Sequence, residues 1–307
     1  MAFADIYRKQ AALLIRTLPH VATEECIALK GGTAINLFVR NMPRLSVDID
    51  LTYVPVEARN QSLAAIDAAM KRIAGHIRSA IAGAKITFGE IESTVTKLFI
   101  RADGVQIKIE VTPVLRGCVY DPEPRSVSEA VEEAFGFAEI QVVSFPDLYA
   151  GKIVAALDRQ HPRDLFDVRD LFANEGIDDA LRRAFIVYML SHDRPMSEVL
   201  EPKRKDISEE FLRGFEGMTD KSVSRNELVA TRETLIADIV GKMPNEHRQF
   251  LVGFERGEPD WSLLKVPAAA DLPAVRWRQK NLDKLSSRKR GTLVARLEEV
   301  LNANGRS

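Results

Sequence analysis

Two short stretches of this chain carry residue types in a spacing that can do chemistry: Lys30-Gly31-Gly32-Thr33-Ala34 and Arg44-Leu45-Ser46-Val47-Asp48-Ile49-Asp50-Leu51. A glycine pair opening a helix is a seat for an anion, because the first backbone N–H groups lack intrahelical partners and sit at the positive helix end. An Asp-x-Asp read as a strand puts both carboxylates on one face and sends Val47, Ile49 and Leu51 to the other, where they can be buried. On this reading Ser46 joins the face of the aspartates. Paired carboxylates suit Mg²⁺, which takes hard oxygen ligands and completes its shell with phosphate and water. Two such ions could stabilise both the attacking and the leaving oxygen of an in-line displacement. The sequence therefore predicts a phosphate cradle of Gly31, Gly32, Thr33, Arg44 and Ser46 beside a metal pair, Asp48 and Asp50. Each piece also has a plainer meaning. Asp-x-Asp can be a solvated acidic edge, Gly-Gly a turn and Thr33 a helix cap, while Arg44 and Ser46 can serve phosphate or only the aspartates. Their combination favours the metal-and-triphosphate reading. A phosphate on Ser46 would bring about −1.5 to −2 charge onto that face, which marks the residue as a regulatory point.

Three further groups extend the candidate set. Glu110, in the alternating run Ile107-Lys108-Ile109-Glu110-Val111, could supply a third metal-binding carboxylate, or it could belong to a solvent-facing Lys/Glu row with Lys108. Lys152 stands beside the stripe Ile153, Ala156 and Leu157, either as a snorkelling surface lysine or as a phosphate contact. Asp164 and Asp167, three apart and so on one helix face, are flanked by Arg163 and Arg169; such a helix can equally be a surface salt-bridge lattice. His161 before Pro162 reads as a helix-start contact. His20, His76, His192 and His247 have no ligand spacing. Arg276 to Arg290 holds seven basic residues against Asp283 and includes Trp277, which reads as a phosphate-attracting patch with a stacking ring or as a solvated helix end with Trp277 in the core.

The elements that must position these residues follow from periodicity. Residues 1–20 predict an amphipathic helix on Ile6, Leu13, Leu14 and Leu18. Residues 27–29 predict a strand, 33–40 a helix, 44–54 the acidic strand and 60–82 a long helix. Strands follow at 85–92, 94–102 and 105–114, the last two joined by the hairpin turn Asp103-Gly104. Helices start at Pro146-Asp147 and at Pro162, and the remainder reads as helical with Gly/Pro breaks. The expected fold class is α/β (α+β), with a mixed-sheet catalytic domain over 1–175 and a mainly helical domain over 176–307. A length of 307 residues supports two domains. The net charge of −1 confines any nucleic-acid contact to a local patch. Two cysteines, Cys26 and Cys118, make no disulfide framework, and no Cys/His cluster has zinc spacing. Met1–Gln10 has no apolar signal core, and no apolar run approaches the ~20 residues of a membrane span. The expected setting is the cytoplasm.

Taken together these pieces resemble the AbiEii/AbiGii-type toxin family of nucleotidyltransferases, within the DNA polymerase β-like superfamily. The similarity is carried by Leu29-Lys30-Gly31-Gly32-Thr33-Ala34 and by Arg44-x-Ser46-x-Asp48-x-Asp50-Leu51. It continues at Lys152 and Arg163-Asp164-Leu165-Phe166-Asp167, and more weakly at Glu246–Leu251 and from Arg276-Trp277 to Asn281-Leu282. The resemblance implies a nucleotidyltransferase fold followed by a helical domain for RNA or a partner. It implies Gly31 and Gly32 on the triphosphate, Mg²⁺ on Asp48 and Asp50, Lys152 on phosphate, and Asp167 as base or organiser. The superfamily often has Asp as its third carboxylate, and here Glu110, Asp164 and Asp167 compete for that place. Members are toxins of toxin–antitoxin pairs, some tied to abortive infection by phage, so a cognate antitoxin is implied. Related enzymes extend the acceptor end of tRNA. The expected function is Mg²⁺-dependent transfer of NMP from NTP to RNA, at the tRNA 3′ end. The alternatives are transfer to a protein or small molecule, and a catalytically silent NTP-binding partner protein.

Overall fold

The alternating runs around Asp48 and Glu110 form the middle of a seven-stranded mixed sheet. The computed structural model describes residues 4–303. Its strands are β1 (Ile27–Lys30), β2 (Asp48–Tyr53), β3 (Lys85–Ile91), β4 (Thr94–Ala102), β5 (Val105–Arg116), β6 (Glu123–Ser126) and β7 (Glu139–Val142). They lie in the order β3-β4-β5-β2-β1-β7-β6. β2 runs parallel to β5 and antiparallel to β1. Asp103 and Gly104, with φ of 52° and 77°, take the left-handed conformations that a two-residue hairpin turn between β4 and β5 requires.

The chain separates into two compact units. The first runs to Ser144 and takes in Phe215–Ser222; the second comprises Phe145–Gly214 and the described residues from Val223 onward. This packing division differs from the 1–175 and 176–307 division expected from sequence. In the first unit, α1 (Asp5–Val21) packs on β5 and α3 (Arg59–Ala80) on β4. The sheet face they cover is apolar, with Ile49, Leu51, Leu98, Ile100, Ile107 and Ile109 buried. Leu13, Leu14 and Leu18 of α1 are buried as expected, whereas Ile6 is 51 % exposed. α2 (Gly31–Ala34) continues into a wider π-helical turn, Ile35–Val39, where the expected helix would run straight on. α4 (Glu129–Phe135) completes the unit.

The acidic strand is shorter than the expected 44–54. Its lead-in pairs elsewhere: Arg44 bridges Thr219, the Leu45 N–H donates to the Met218 carbonyl at 2.8 Å, and the Asp220 N–H to the Pro43 carbonyl at 3.0 Å. The segment 215–222 thus returns to the first unit from within the helical half.

The second unit is helical: α5 (Phe145–Asp158), α6 (Pro162–Asn174), α7 (Asp179–Leu190), α8 (Met196–Leu200), α9 (Ser208–Gly214), α10 (Arg225–Gly241), α11 (Asn245–Arg256), α12 (Trp261–Leu264), α13 (Pro273–Asp283) and α14 (Ser287–Ala303). α5 packs against α6 and α7, and α6 against α10. Helix starts follow local chemistry. Asp178 caps α7, a Ser224/Glu227 capping box opens α10, and α6 begins at Pro162 with His161 as its cap. Among the described residues no helix is long and apolar enough to cross a membrane.

The α6 cap gives a pH prediction. His161 Nδ1 accepts the Arg163 N–H at 3.1 Å, so the cap requires a neutral ring. Burial, and after it the charge of Arg163, push the imidazole down to about 4. The folded value lies below the unfolded one of about 6.5. The cap's contribution is therefore whole above pH ~6.5 and is lost as pH falls through about 4. His161→Ala is expected to cost about 1 kcal/mol at pH 7 and to flatten the pH dependence of urea unfolding across that window. An unaltered slope would show that His161 is not the titrating group.

Candidate active site

Strand pairing turns the sequence pattern into a charged ladder. Asp48 and Asp50 lie on the same half-buried face of β2, with Ile49 and Leu51 fully buried on the other. Across β1, Lys30 is the register partner of Asp50; across β5, Lys108 partners Asp48 and Glu110 partners Asp50. The sequence alone gives Lys30 and Lys108 no role at the aspartates. Their signal was present in the alternation, but the pairing of strands was needed to bring them beside the aspartates. Burial pulls Lys30 below the ordinary lysine value, with the charge of Asp50 opposing, and its Nζ lies 3.4 Å from Thr112 Oγ1. Lys108 is shifted upward: burial opposes its charge, but Glu110, Asp48 and Asp50 outweigh burial.

Glu110 stands next to the aspartates as expected, yet its oxygens are engaged by lysines. Lys108 Nζ lies 2.8 Å from one and Lys97 Nζ 3.0 Å from the other. Burial disfavours its charge, and these two ammonium groups more than compensate, leaving its carboxyl below the ordinary range. Among the described residues no three His, Cys, Asp or Glu side chains form a metal-binding group. Glu110 therefore has the surroundings of the Lys/Glu row that the sequence left as its alternative.

The glycine pair is held against β2 by contact that a side chain would block. Gly31 has φ of 76°, and a Cβ on it would come within 2.7 Å of Asp50 Oδ2. A Cβ on Gly32 would meet Arg44 Nη2 at 2.6 Å and Ser46 Oγ at 3.3 Å. Thr33 Oγ1 lies 2.9 Å from Ser46 Oγ and also donates to the Asp48 carbonyl. Thr33, Arg44 and Ser46 are all buried, and Arg44 Nη1 donates to the Leu45 carbonyl at 3.1 Å. These three residues bolt the glycine turn to the lead-in of β2. Ser46 precedes the strand and is 7 % exposed, so the surface placement that would let it serve as a modification point is not found.

In the second unit, Lys152 on α5 is buried rather than snorkelling, and its Nζ sits 2.8 Å from Asp164 Oδ1 and 2.9 Å from Asp167 Oδ2 on α6. Arg159 adds a contact to Asp164 at 2.5 Å. Burial alone would raise Asp164, but Lys152 and Arg159 hold its carboxyl well below the usual range. The surface-lattice alternative for this Arg/Asp helix does not hold for Asp164 and Asp167, which are 0 % and 1 % exposed. Further on, Trp277 is 56 % exposed with Lys284 Nζ 5.6 Å from its ring centre, so it is not a core residue. Arg278 and Arg290 are spent on backbone carbonyls, of His192 and Arg194 and of Leu282 and Arg256 respectively. Lys280, Lys284, Arg288 and Lys289 stay exposed.

Residues 12–279 match the family described as nucleotidyl transferase AbiEii toxin, type IV TA system. No curated protein matches the chain. Among solved structures, the fold is similar to MenT4, a nucleotidyltransferase toxin from Mycobacterium tuberculosis H37Rv. The TM-score is 0.55 at 17 % identity, over 95 % of this chain and 94 % of that one.

The buried triad of Lys152, Asp164 and Asp167 predicts a paired effect on stability. Lys152→Met removes the ammonium that both buried carboxylates share and is expected to cost roughly 3–5 kcal/mol. Lys152→Met combined with Asp164→Asn and Asp167→Asn is expected to recover most of that loss in denaturant unfolding. A triple variant as unstable as the single one would mean that the charges are not what Lys152 balances.

Proposed function

For a chain that belongs to the AbiEii nucleotidyltransferase toxin family, we propose Mg²⁺-dependent transfer of NMP from an NTP to the 3′-hydroxyl of an RNA, with the tRNA acceptor end as target, in the cytoplasm. The observation that carries this reading is the ladder on β2, where two carboxylates share one face and Asp50 lies directly beneath the Gly31 turn. Asp48 and Asp50 offer the hard-oxygen donor set that Mg²⁺ takes, leaving substrate phosphate and water to complete its shell. Bound there, the ion would neutralise charge on the reacting phosphate.

The chain's own residues do the positioning. Gly31, Gly32 and Thr33 lead a helical turn whose first amides lack intrahelical partners and would serve the triphosphate. Arg44, Ser46 and Thr33 fix that turn against β2. Lys30 and Lys108 flank the aspartates with positive charge, and Glu110 holds Lys108 and Lys97 in place. The new bond joins the RNA 3′-oxygen to the α-phosphorus, the α–β phosphoanhydride breaks, pyrophosphate leaves and the hydroxyl proton passes to a base. Phosphoryl transfer of this kind rests on positioning and charge stabilisation, which these groups supply. Lys152 and Asp167, to which the resemblance gives the roles of phosphate contact and acidic organiser, are enclosed with Asp164 between α5 and α6, and no step is assigned to them. The exposed Trp277 with Lys280, Lys284, Arg288 and Lys289 supports a nucleic-acid acceptor over a small molecule. As a toxin of a toxin–antitoxin system, the chain has a cognate antitoxin; loss of functional tRNA is how it would arrest growth or limit phage.

Labelled NTPs offered with total RNA, and separately with lysate protein, followed by sequencing of RNA 3′ ends, test this directly. RNA is expected to take the label; label in protein alone would favour the protein-modifying alternative. Asp48→Asn and Asp50→Asn are each expected to lower transfer by roughly 10²–10³ or more with little change in melting temperature. Gly31→Ala, which drives a methyl into Asp50, is expected to lower it at least about tenfold. Full transfer by the folded double variant Asp48→Asn/Asp50→Asn would refute the assignment.

A further inference from the structure

The sheet face that carries Asp48 and Asp50 continues past them, without interruption in register, across β5, β4 and β3. One row runs Asp50, Glu110, Lys97, Gly89; the next runs Asp48, Lys108, Phe99, Thr87; the next holds Gln106, Arg101 and Lys85. The helices α1 and α3 lie on the opposite, apolar face. Over the three strands beyond β2, this surface therefore presents Lys85, Lys97, Arg101 and Lys108 against Glu110, which is itself paired with Lys97 and Lys108. Lys85 and Arg101 are exposed. Among these charges sits an aromatic ring. Phe99 is half-buried, with Lys108 and Thr87 as its cross-strand partners. Beside it Gly89 supplies no side chain; a Cβ there would stand 3.5 Å from Phe99 Cε2 and 3.1 Å from Lys97 Cβ.

A half-open phenylalanine on a polar sheet face is not explained by core packing, since the even-numbered residues of β4, Leu98 and Ile100, supply the core. A ring bordered by cations on a polar sheet face is what stacking on a base and neutralising its flanking phosphates call for. We propose that this face, centred on Phe99, seats the 3′-terminal single strand of the acceptor RNA: the ring stacks a base near the end, Lys97 and Lys108 lie along the path to Asp48, and Arg101 and Lys85 take phosphates further from it. The inference rests on the RNA reading of the acceptor given above. It assigns Phe99, Lys85 and Arg101 as acceptor-binding residues, separate from the glycine turn that serves the NTP.

The test uses the full chain with unfractionated tRNA and a labelled NTP, and follows both transfer and fluorescence anisotropy of tRNA binding. Phe99→Leu keeps apolar volume while removing the π-face, and it is expected to raise the KM for tRNA at least about fivefold, as loss of one stacked base does. Phe99→Trp is expected to restore it. Lys85→Glu/Arg101→Glu, at exposed positions, is expected to weaken binding about tenfold or more and to reduce the slope of log K against log salt by roughly 1.4, as for two lost phosphate contacts on a single strand. The KM for NTP stays unchanged in all of these. Wild-type KM for tRNA in both Phe99→Leu and Lys85→Glu/Arg101→Glu overturns this inference and leaves RNA as the acceptor. A wild-type chain that labels protein and no RNA overturns the acceptor reading and this inference with it.

Discussion

Two carboxylates on the same face of a central strand repel each other, and the surroundings of β2 are arranged around that repulsion. Their backbone positions are fixed by the pleat, because Ile49 between them and Leu51 after them must enter the core. The strand cannot rotate to separate Asp48 from Asp50 without exposing both apolar residues. The neighbouring strands answer with charge: Lys30 across from Asp50 on one side, Lys108 across from Asp48 on the other. Glu110 in turn is held by Lys97 and Lys108. The face is thus a near-balanced lattice of opposite charges, with Asp50 directly under the Gly31 turn. The absence of a side chain at Gly31 lets the backbone come down to Asp50.

The second unit solves a related problem in the opposite way. There the carboxylates and the lysine are buried, and Lys152 is enclosed between Asp164 and Asp167. Such a cluster gains little net stability, since desolvation offsets much of the Coulomb attraction. What it does provide is a fixed relation between α5 and α6, because any shift of one helix strands a buried charge. The cap from His161 and the proline at Pro162 set where α6 begins, and so set which of its residues face Lys152. Local capping and a buried ion cluster therefore specify the same geometry from two directions.

Much of this was legible in the residues themselves. The span 94–102, the Asp103-Gly104 turn and the helix from Pro162 to Asn174 are written in short-range chemistry: alternation, left-handed turn residues, proline at a first helical position. β6, Glu-Pro-Arg-Ser, and β7, Glu-Ile-Gln-Val, lack the apolar run that marks Ile27–Leu29. The return of Phe215–Ser222 was hidden for a different reason. Its role is to pair with Arg44 and Leu45, a contact between residues far apart in sequence that leaves no local mark. Period two extended through Ser46 predicts it on the face of the aspartates; the strand starts at Asp48, and Arg44 and Leu45 of the lead-in pair with that distant segment.

By itself the sequence determined the chemistry on offer: a glycine turn, an Asp-x-Asp on a strand, a lysine and two aspartates on later helices, and through them membership of a nucleotidyltransferase family. Residue type and spacing suffice for that, because period-two and period-3.6 geometry convert spacing into shared faces. The tertiary structure decided which neighbours those faces acquire. That Glu110 meets two lysines, that Lys152 is buried, that Arg44 and Ser46 brace the turn from within, and that Phe99 lies in the same cross-strand row as Asp48 all depend on strand order, register and helix packing. Those are set by the burial of apolar residues across the whole unit, which no single motif contains.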